Sequence, residues 1–212
     1  MQIFPRELNY LPLALALVAG GLGTGVFVLF WVWFTPANLQ VGYTPEQPVH
    51  YSHRLHAGEL GMDCRYCHSQ VERSHEAMVP PTQTCMGCHA VVHTESEELS
   101  LVRESWDTDD SIPWVRVNQI PDHAYFNHSV HLAGGIGCVS CHGRIDQMEV
   151  VGIVEPLAMQ WCLNCHRNPE PHVRPTDEIT NMSWQPDEAW LAQRAEVAAK
   201  LQPPMNCSGC HR

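Results

Sequence analysis

Apolar side chains are distributed unevenly along this chain. From Leu8 to Pro45 no side chain carries a charge, and Leu11 to Phe34 is a 24-residue apolar run whose only strongly polar member is Thr24. At about 1.5 Å per residue a helix over 11–34 crosses a hydrocarbon layer of about 30 Å with room for tilt. Trp31, Trp33 and Phe34 at its end suit a membrane interface, and Gly20, Gly21, Gly23 and Gly25 permit close approach of another helix. The run is too long for a signal peptide, is preceded by a weakly basic start (Arg6 beside Glu7), and lacks a small-x-small cleavage pattern after it. The expectation is an uncleaved anchor at 11–34 behind a short cytoplasmic segment, 1–10. Residues 35–50, rich in Pro and Gly, read as an extended tether. Past them no strand alternation appears. One helix is clear: Pro186-Asp187-Glu188 opens it, Trp190, Leu191, Ala195 and Val197 follow, and Pro203-Pro204 stops it after Leu201.

What replaces periodicity is a motif. Five times a Cys-x-x-Cys pair is followed at once by histidine: Cys64/Cys67/His68, Cys85/Cys88/His89, Cys138/Cys141/His142, Cys162/Cys165/His166 and Cys207/Cys210/His211. These pairs use all ten cysteines. The spacing is that of a c-type haem attachment site. The two thiols add to the porphyrin vinyl groups, and the adjoining imidazole becomes the proximal ligand of the iron. Structural zinc has no reason to place a histidine directly after the second cysteine each time. Disulfides at this spacing close small, strained loops. Five covalently bound haem c groups are the expected cofactors.

Composition sharpens this reading. The chain has 212 residues, a formal charge of −11 and 17% charged side chains. Without the apolar run, about 175 residues remain for five haems, or about 35 each, too few for each to build a core of its own. The expected fold class is therefore a mostly α/irregular multihaem cytochrome c with a haem-organised core, little β structure and one N-terminal transmembrane helix. The acidic balance argues against nucleic acid and for docking to a basic or neutral protein surface.

The chain also repeats itself. Tyr51-x-His53-x-x-His56 precedes Cys64, and Phe126-x-His128-x-x-His131 precedes Cys138, with offsets of 75 between the histidine pairs and of 74 and 77 between the haem sites. This suggests two di-haem modules, 51–93 and 126–172, joined by an acidic linker or docking segment, 94–125, and followed by a C-terminal helix and fifth site, 173–212. Histidines three apart on a helical turn diverge, so each pair serves two haems. The predicted distal ligands are His53, His56, His128, His131 and His93, with His53 and His128 capping haems of their own modules and His56 and His131 reaching haems further off. His172, Met148, Met159 and Met182 are further candidates, since a thioether raises the haem potential relative to imidazole. His50, His75 and His123 are read as solvated or hydrogen-bonded.

The strings His53-Arg54-Leu55-His56-Ala57-Gly58-Glu59-Leu60-Gly61, Val139-Ser140-Cys141-His142-Gly143-Arg144-Ile145-Asp146-Gln147-Met148-Glu149-Val150-Val151 and Trp161-Cys162-Leu163-Asn164-Cys165-His166-Arg167-Asn168-Pro169-Glu170, with the anchor and five sites, resemble the pentahaem cytochrome c subunit of bacterial alternative complex III. The resemblance implies an electron-transfer subunit of a membrane quinol oxidoreductase. Its implied partners are a large iron–sulfur subunit, polytopic quinol-binding membrane subunits, a monohaem cytochrome subunit and a periplasmic electron acceptor. The haem domain is expected on the outer, periplasmic side of the cytoplasmic membrane, where haem c is attached. No catalytic site of its own is expected. An enzyme with an open iron is disfavoured, because every motif ends in histidine and spare histidines outnumber the haems. The alternative is a membrane-anchored multihaem quinol dehydrogenase of the NapC/NrfH type.

Overall fold

The computed structural model describes residues 5–35, 38 and 40–211 and divides into two units, 1–40 and 41–212. The first unit contains a short 3-10 turn, Arg6–Tyr10, leading into helix α1, Leu11–Trp33. Pro12 near its start costs nothing, since a first-turn residue has no carbonyl four back to bond. The continuous stretch Arg6–Trp33 is long and apolar enough to cross a membrane, and α1 alone is about 35 Å long. Its side chains are exposed all round, including Phe27, Phe30, Trp31 and Trp33.

The second unit contains no sheet among the described residues, only isolated antiparallel bridges at Ala124/His211 and Ile136/Val173. Its helices are short: a π turn at Arg54–Glu59, then α2 (Cys64–Cys67), α3 (Thr82–His89), α4 (Ser100–Thr108), α5 (His128–Ala133), α6 (Val139–His142), α7 (Met159–Arg167), α8 (Glu188–Lys200) and α9 (Cys207–Cys210). Side-chain caps explain several starts. Asp63 accepts from the Arg65 amide at 2.8 Å, Asn127 from that of Ser129 at 3.0 Å and Asp187 from that of Trp190 at 2.7 Å. Residues 41–50 run extended over this unit. The Gly42 amide donates to the Ile153 carbonyl at 2.7 Å and the Ile153 amide to the Tyr43 carbonyl at 3.1 Å, while the Gln47 side-chain amide both donates to and accepts from Val115 (2.9 and 3.0 Å).

Burial is sparse. Among the described residues eight apolar side chains are buried, and just Val71, Leu132 and Ile179 form a cluster, with Ala77 against it. So few buried groups leave the entropy of ordering some 170 residues far from offset. The remaining contacts are main-chain seams. Where the π turn meets the 3-10 turn Ile145–Gln147, the Arg54 amide donates to the Met148 carbonyl at 2.9 Å and the Arg54 guanidinium bonds Glu59 and Glu149. Gly58 lies against the Asp146 carbonyl so closely that a Cβ would fall 2.2 Å from its oxygen. Gly58→Ala should therefore open this seam and cost about 1–3 kcal/mol, measured as a lower midpoint of thermal unfolding of the purified full chain. The exposed Gly61, at φ 67° with open space around it, is not part of the seam.

Candidate metal centres

Each Cys-x-x-Cys-His motif falls on one turn of helix or on a helix end: on α2, α3, α6 with Cys138 just before it, α7 and α9. Side chains three and four apart share a helix face, so one turn turns both sulfurs and the imidazole to the same side. All ten cysteines are free thiols. Among the described residues no three His, Cys, Asp or Glu side chains converge as a bare metal ion requires.

The imidazoles instead stand in opposed pairs. The ring of His56 faces that of His89 at 6.2 Å between centroids, His128 faces His142 at 6.4 Å, and His131 faces His166 at 6.2 Å. Two metal–imidazole bonds of about 2.0–2.1 Å, with about 1.1 Å more from each nitrogen to its ring centre, separate centroids by about 6.3 Å. The centroid spacing in each pair thus matches that of two imidazoles bound to one metal ion, with ring planes inclined at 62°, 8° and 32° respectively. His53 lies within electrostatic range of His68, which the repeat makes the counterpart of His128 and His142. Each pair opens a slot beside two cysteines, so the residues fit a covalently held, six-coordinate haem.

Tautomers are set from the far side of the rings. A carbonyl can only accept, so an imidazole bonded to one through Nδ1 carries its proton there and leaves Nε2 with a free lone pair. Four of the five motif histidines do this: His68 donates to Met78 (2.6 Å), His89 to Val92 (3.1 Å), His166 to Pro204 (2.9 Å) and His211 to His123 (3.2 Å). On the distal side His56 donates to Ser52 (2.9 Å), His131 to Asn127 (2.7 Å) and His128 to His75 (2.7 Å). The Nδ1 atoms of His53 and His142 are buried without a partner. Burial, with neighbouring histidines adding to it, lowers the pKa of both to about 4. Desolvation also lowers those of His128 and His131. The rings are therefore neutral near pH 7, as metal ligands must be.

The duplicated element is reproduced as geometry. Tyr51 meets His53 edge-on (4.8 Å, 88°) and stacks on His56 (4.5 Å, 25°); Phe126 meets His128 edge-on (4.7 Å, 89°) and stacks on His131 (4.5 Å, 29°). The aromatic ring is a wedge that holds the two imidazoles at different angles. His56 and His131 each face the second motif of their own module. His93 sits exposed in a turn after α3 at φ 53°, His172 ends the 3-10 turn Glu170–His172, and neither ring contacts a proximal histidine among the described residues. Met148 takes part through its carbonyl at the Arg54 seam, Met182 is half-buried, and Met159 is exposed at the start of α7.

His123 differs from the other partners. Its ring stacks near that of His211 at 5.5 Å and 27°, but its carbonyl takes the His211 Nδ1 proton. An imidazole centre lies at most about 5 Å from its own carbonyl oxygen, whereas the position across an iron on Nε2 is about 8 Å or more from it. The His123 carbonyl thus holds the His211 imidazole from its Nδ1 side, away from Nε2. Together with the carbonyls of His75, Met78, Val92 and Pro204 it is a functional group that carries no side-chain signal in the sequence.

Contacts between motifs order them in space. The Cys67 thiol, raised chiefly by burial, is also raised by Cys85 and Cys88. Cys64 and Cys138 are hydrogen-bonded, which lowers the one and raises the other. Burial pushes Cys141 up to about 12, with Cys165 and Cys162 contributing. Burial likewise raises Cys162, with a contribution from Cys210. Through these interactions the attachment sites neighbour one another as second–first–third–fourth–fifth in motif numbering, a series that differs from chain order. The two first-in-module sites meet at its middle.

Residues 124–212 match the family model described as cytochrome c7 and related cytochrome c. Over 200 residues, 90% of this chain and 88% of the other, the sequence is 28% identical to the multihaem cytochrome c subunit of the menaquinone reductase of Nitratidesulfovibrio vulgaris strain Hildenborough. The match to the family model spans the third, fourth and fifth motifs and the opposed pairs His128/His142 and His131/His166. Among the described residues the chain has one N-terminal apolar helix and a mostly helical, sheet-free body, and over residues 124–212 it is similar to cytochrome c7.

Proposed function

We propose that this chain is the pentahaem subunit of a membrane quinol oxidoreductase, anchored by α1 with its haem unit on the periplasmic side of the cytoplasmic membrane. The observation that carries the proposal is the set of opposed imidazoles 6.2–6.4 Å apart beside paired cysteines. Haem c bound in such slots supplies reversible one-electron chemistry with little ligand rearrangement. The chain's residues do the rest. Cysteines fix each group covalently, carbonyls hold Nδ1–H so that Nε2 faces the slot, and Tyr51 and Phe126 set the angle between adjacent slots. Neighbouring attachment sites that run from motif to motif suit a conductor.

Within that reading, His53, His56, His128 and His131 are distal ligands, to the first, second, third and fourth motifs respectively. The resemblance to the alternative complex III subunit supports iron–sulfur, polytopic and monohaem cytochrome partners and delivery of electrons to a periplasmic acceptor. The menaquinone reductase relative supports the same subunit role with electrons running towards quinone. The direction is decided by the complex around the chain.

Two measurements test this. Pyridine haemochrome and intact mass on the purified full-length protein should give five covalent haem c per chain; four or fewer in a fully matured preparation contradicts the count. His56→Ala and His131→Ala should each convert one low-spin centre to a high-spin, carbon monoxide-binding one with unchanged haem content. His93→Ala, at an exposed turn, should leave the low-spin spectrum intact, and a high-spin signal there would reassign a ligand.

A further inference from the structure

Arg174 is a buried charge, 8% exposed, in a unit that buries little else. It sits where the Ile136/Val173 bridge brings residues 173–184 against the third motif. Its amide donates to the Gly135 carbonyl at 2.8 Å, and its guanidinium lies against Gly137, where a Cβ would fall 2.4 Å from Nε and 2.5 Å from Cζ. Cys138, the first attachment cysteine of that motif, is the next residue and is within electrostatic range of Arg174. Nη1 donates to the Asn181 carbonyl at 3.0 Å and more weakly to that of Glu178 at 3.4 Å, and Cζ lies 5.0 Å from the centre of the Trp184 ring. Nε has no partner, and no carboxylate lies within ion-pair distance among the described residues. The nearest acid, Glu178, spends a carboxylate oxygen on the Asn181 amide at 2.7 Å.

Guanidinium stays protonated at any accessible pH. Holding one here without a counter-ion is expensive, and a loop tie needing only hydrogen bonds could be made by a neutral side chain. What a positive charge alone supplies at this place is a field on whatever is attached at Cys138 and Cys141. The iron carries one more positive charge oxidised than reduced, so a buried cation beside it opposes oxidation, and low polarisability around the site strengthens the effect. The equivalent first-in-module site has no such group. There Arg65 is paired with Asp63 at 2.8 Å and with Glu72 at 3.1 Å, on the surface.

We propose that Arg174 is a positioning residue that raises the reduction potential of the centre attached at Cys138 and Cys141 above that of its counterpart at Cys64 and Cys67. This rests on haem being bound at those motifs. It places a local high-potential step at the middle of the series of sites.

The test is a spectroscopic redox titration of the purified holoprotein carrying Arg174→Gln, Arg174→Met or Arg174→Lys, with haem per chain measured on each sample. The neutral variants should move one redox wave to lower potential and leave the others in place. Arg174→Lys keeps the charge but loses the planar fork and the stacking on Trp184, and should leave that wave near its wild-type position. Unmoved waves in fully loaded neutral variants overturn the inference, as does a shift in Arg174→Lys as large as in Arg174→Gln. So do neutral variants that lose the haem of that site while Arg174→Lys retains it, since the role is then structural. A wild-type protein without covalent haem instead sinks the reading on which the inference rests.

Discussion

Paired imidazoles facing one another across a gap the width of a metal ion are the contact on which the rest of this fold depends. The 41–212 unit buries eight apolar side chains among its described residues and gathers three of them into a cluster. A soluble domain of that length ordinarily offsets its conformational entropy with a continuous apolar core. In the proposed pentahaem protein the apolar faces that would complete such a core belong to covalently attached macrocycles, to which the short helices present cysteines and histidines.

This dependence explains the local architecture. Helices of one turn are too short to persist alone, yet the five residues of one turn and its cap suffice to carry two sulfurs and an imidazole. The long irregular segments between motifs have a job that irregular backbone does well, which is to bring carbonyl oxygens to Nδ1 atoms of residues far away in sequence. Pro204 serves His166, His123 serves His211, and His75 serves His128 across the two modules. Removing a carbonyl from such a position requires moving backbone, so ligand orientation and chain path are fixed together. The buried Arg174 follows the same logic, tolerated because glycines at 135 and 137 leave room for it.

Much of this was legible in the sequence. The apolar run predicts α1 to within a residue at its C-terminal end, and the Cys-x-x-Cys-His motifs fall on short helical turns and the duplicated aromatic–histidine element on matched ring packing. The helix opened by Asp187 and closed before Pro203 appears as Glu188–Lys200. What could not be read was whatever main chain contributes. That the His123 carbonyl accepts from His211 leaves no mark on its side chain, which reads as solvated or hydrogen-bonded. The pairing of His56 with His89 and of His131 with His166 depends on how a loop returns, which no periodicity encodes. Arg174 gave no signal, because its burial follows from two glycines some forty residues earlier.

The account's central claim is that the attached cofactors complete the core of the 41–212 unit. The most direct measurement compares amide hydrogen exchange of the holoprotein with that of the same chain produced without haem attachment. The account predicts that, outside α1, the haem-free chain exchanges at nearly the rate of an unfolded polypeptide, while the holoprotein protects the motif helices and the Ile136/Val173 seam. Comparable protection in the two forms would show that the polypeptide builds its own core and would contradict the account.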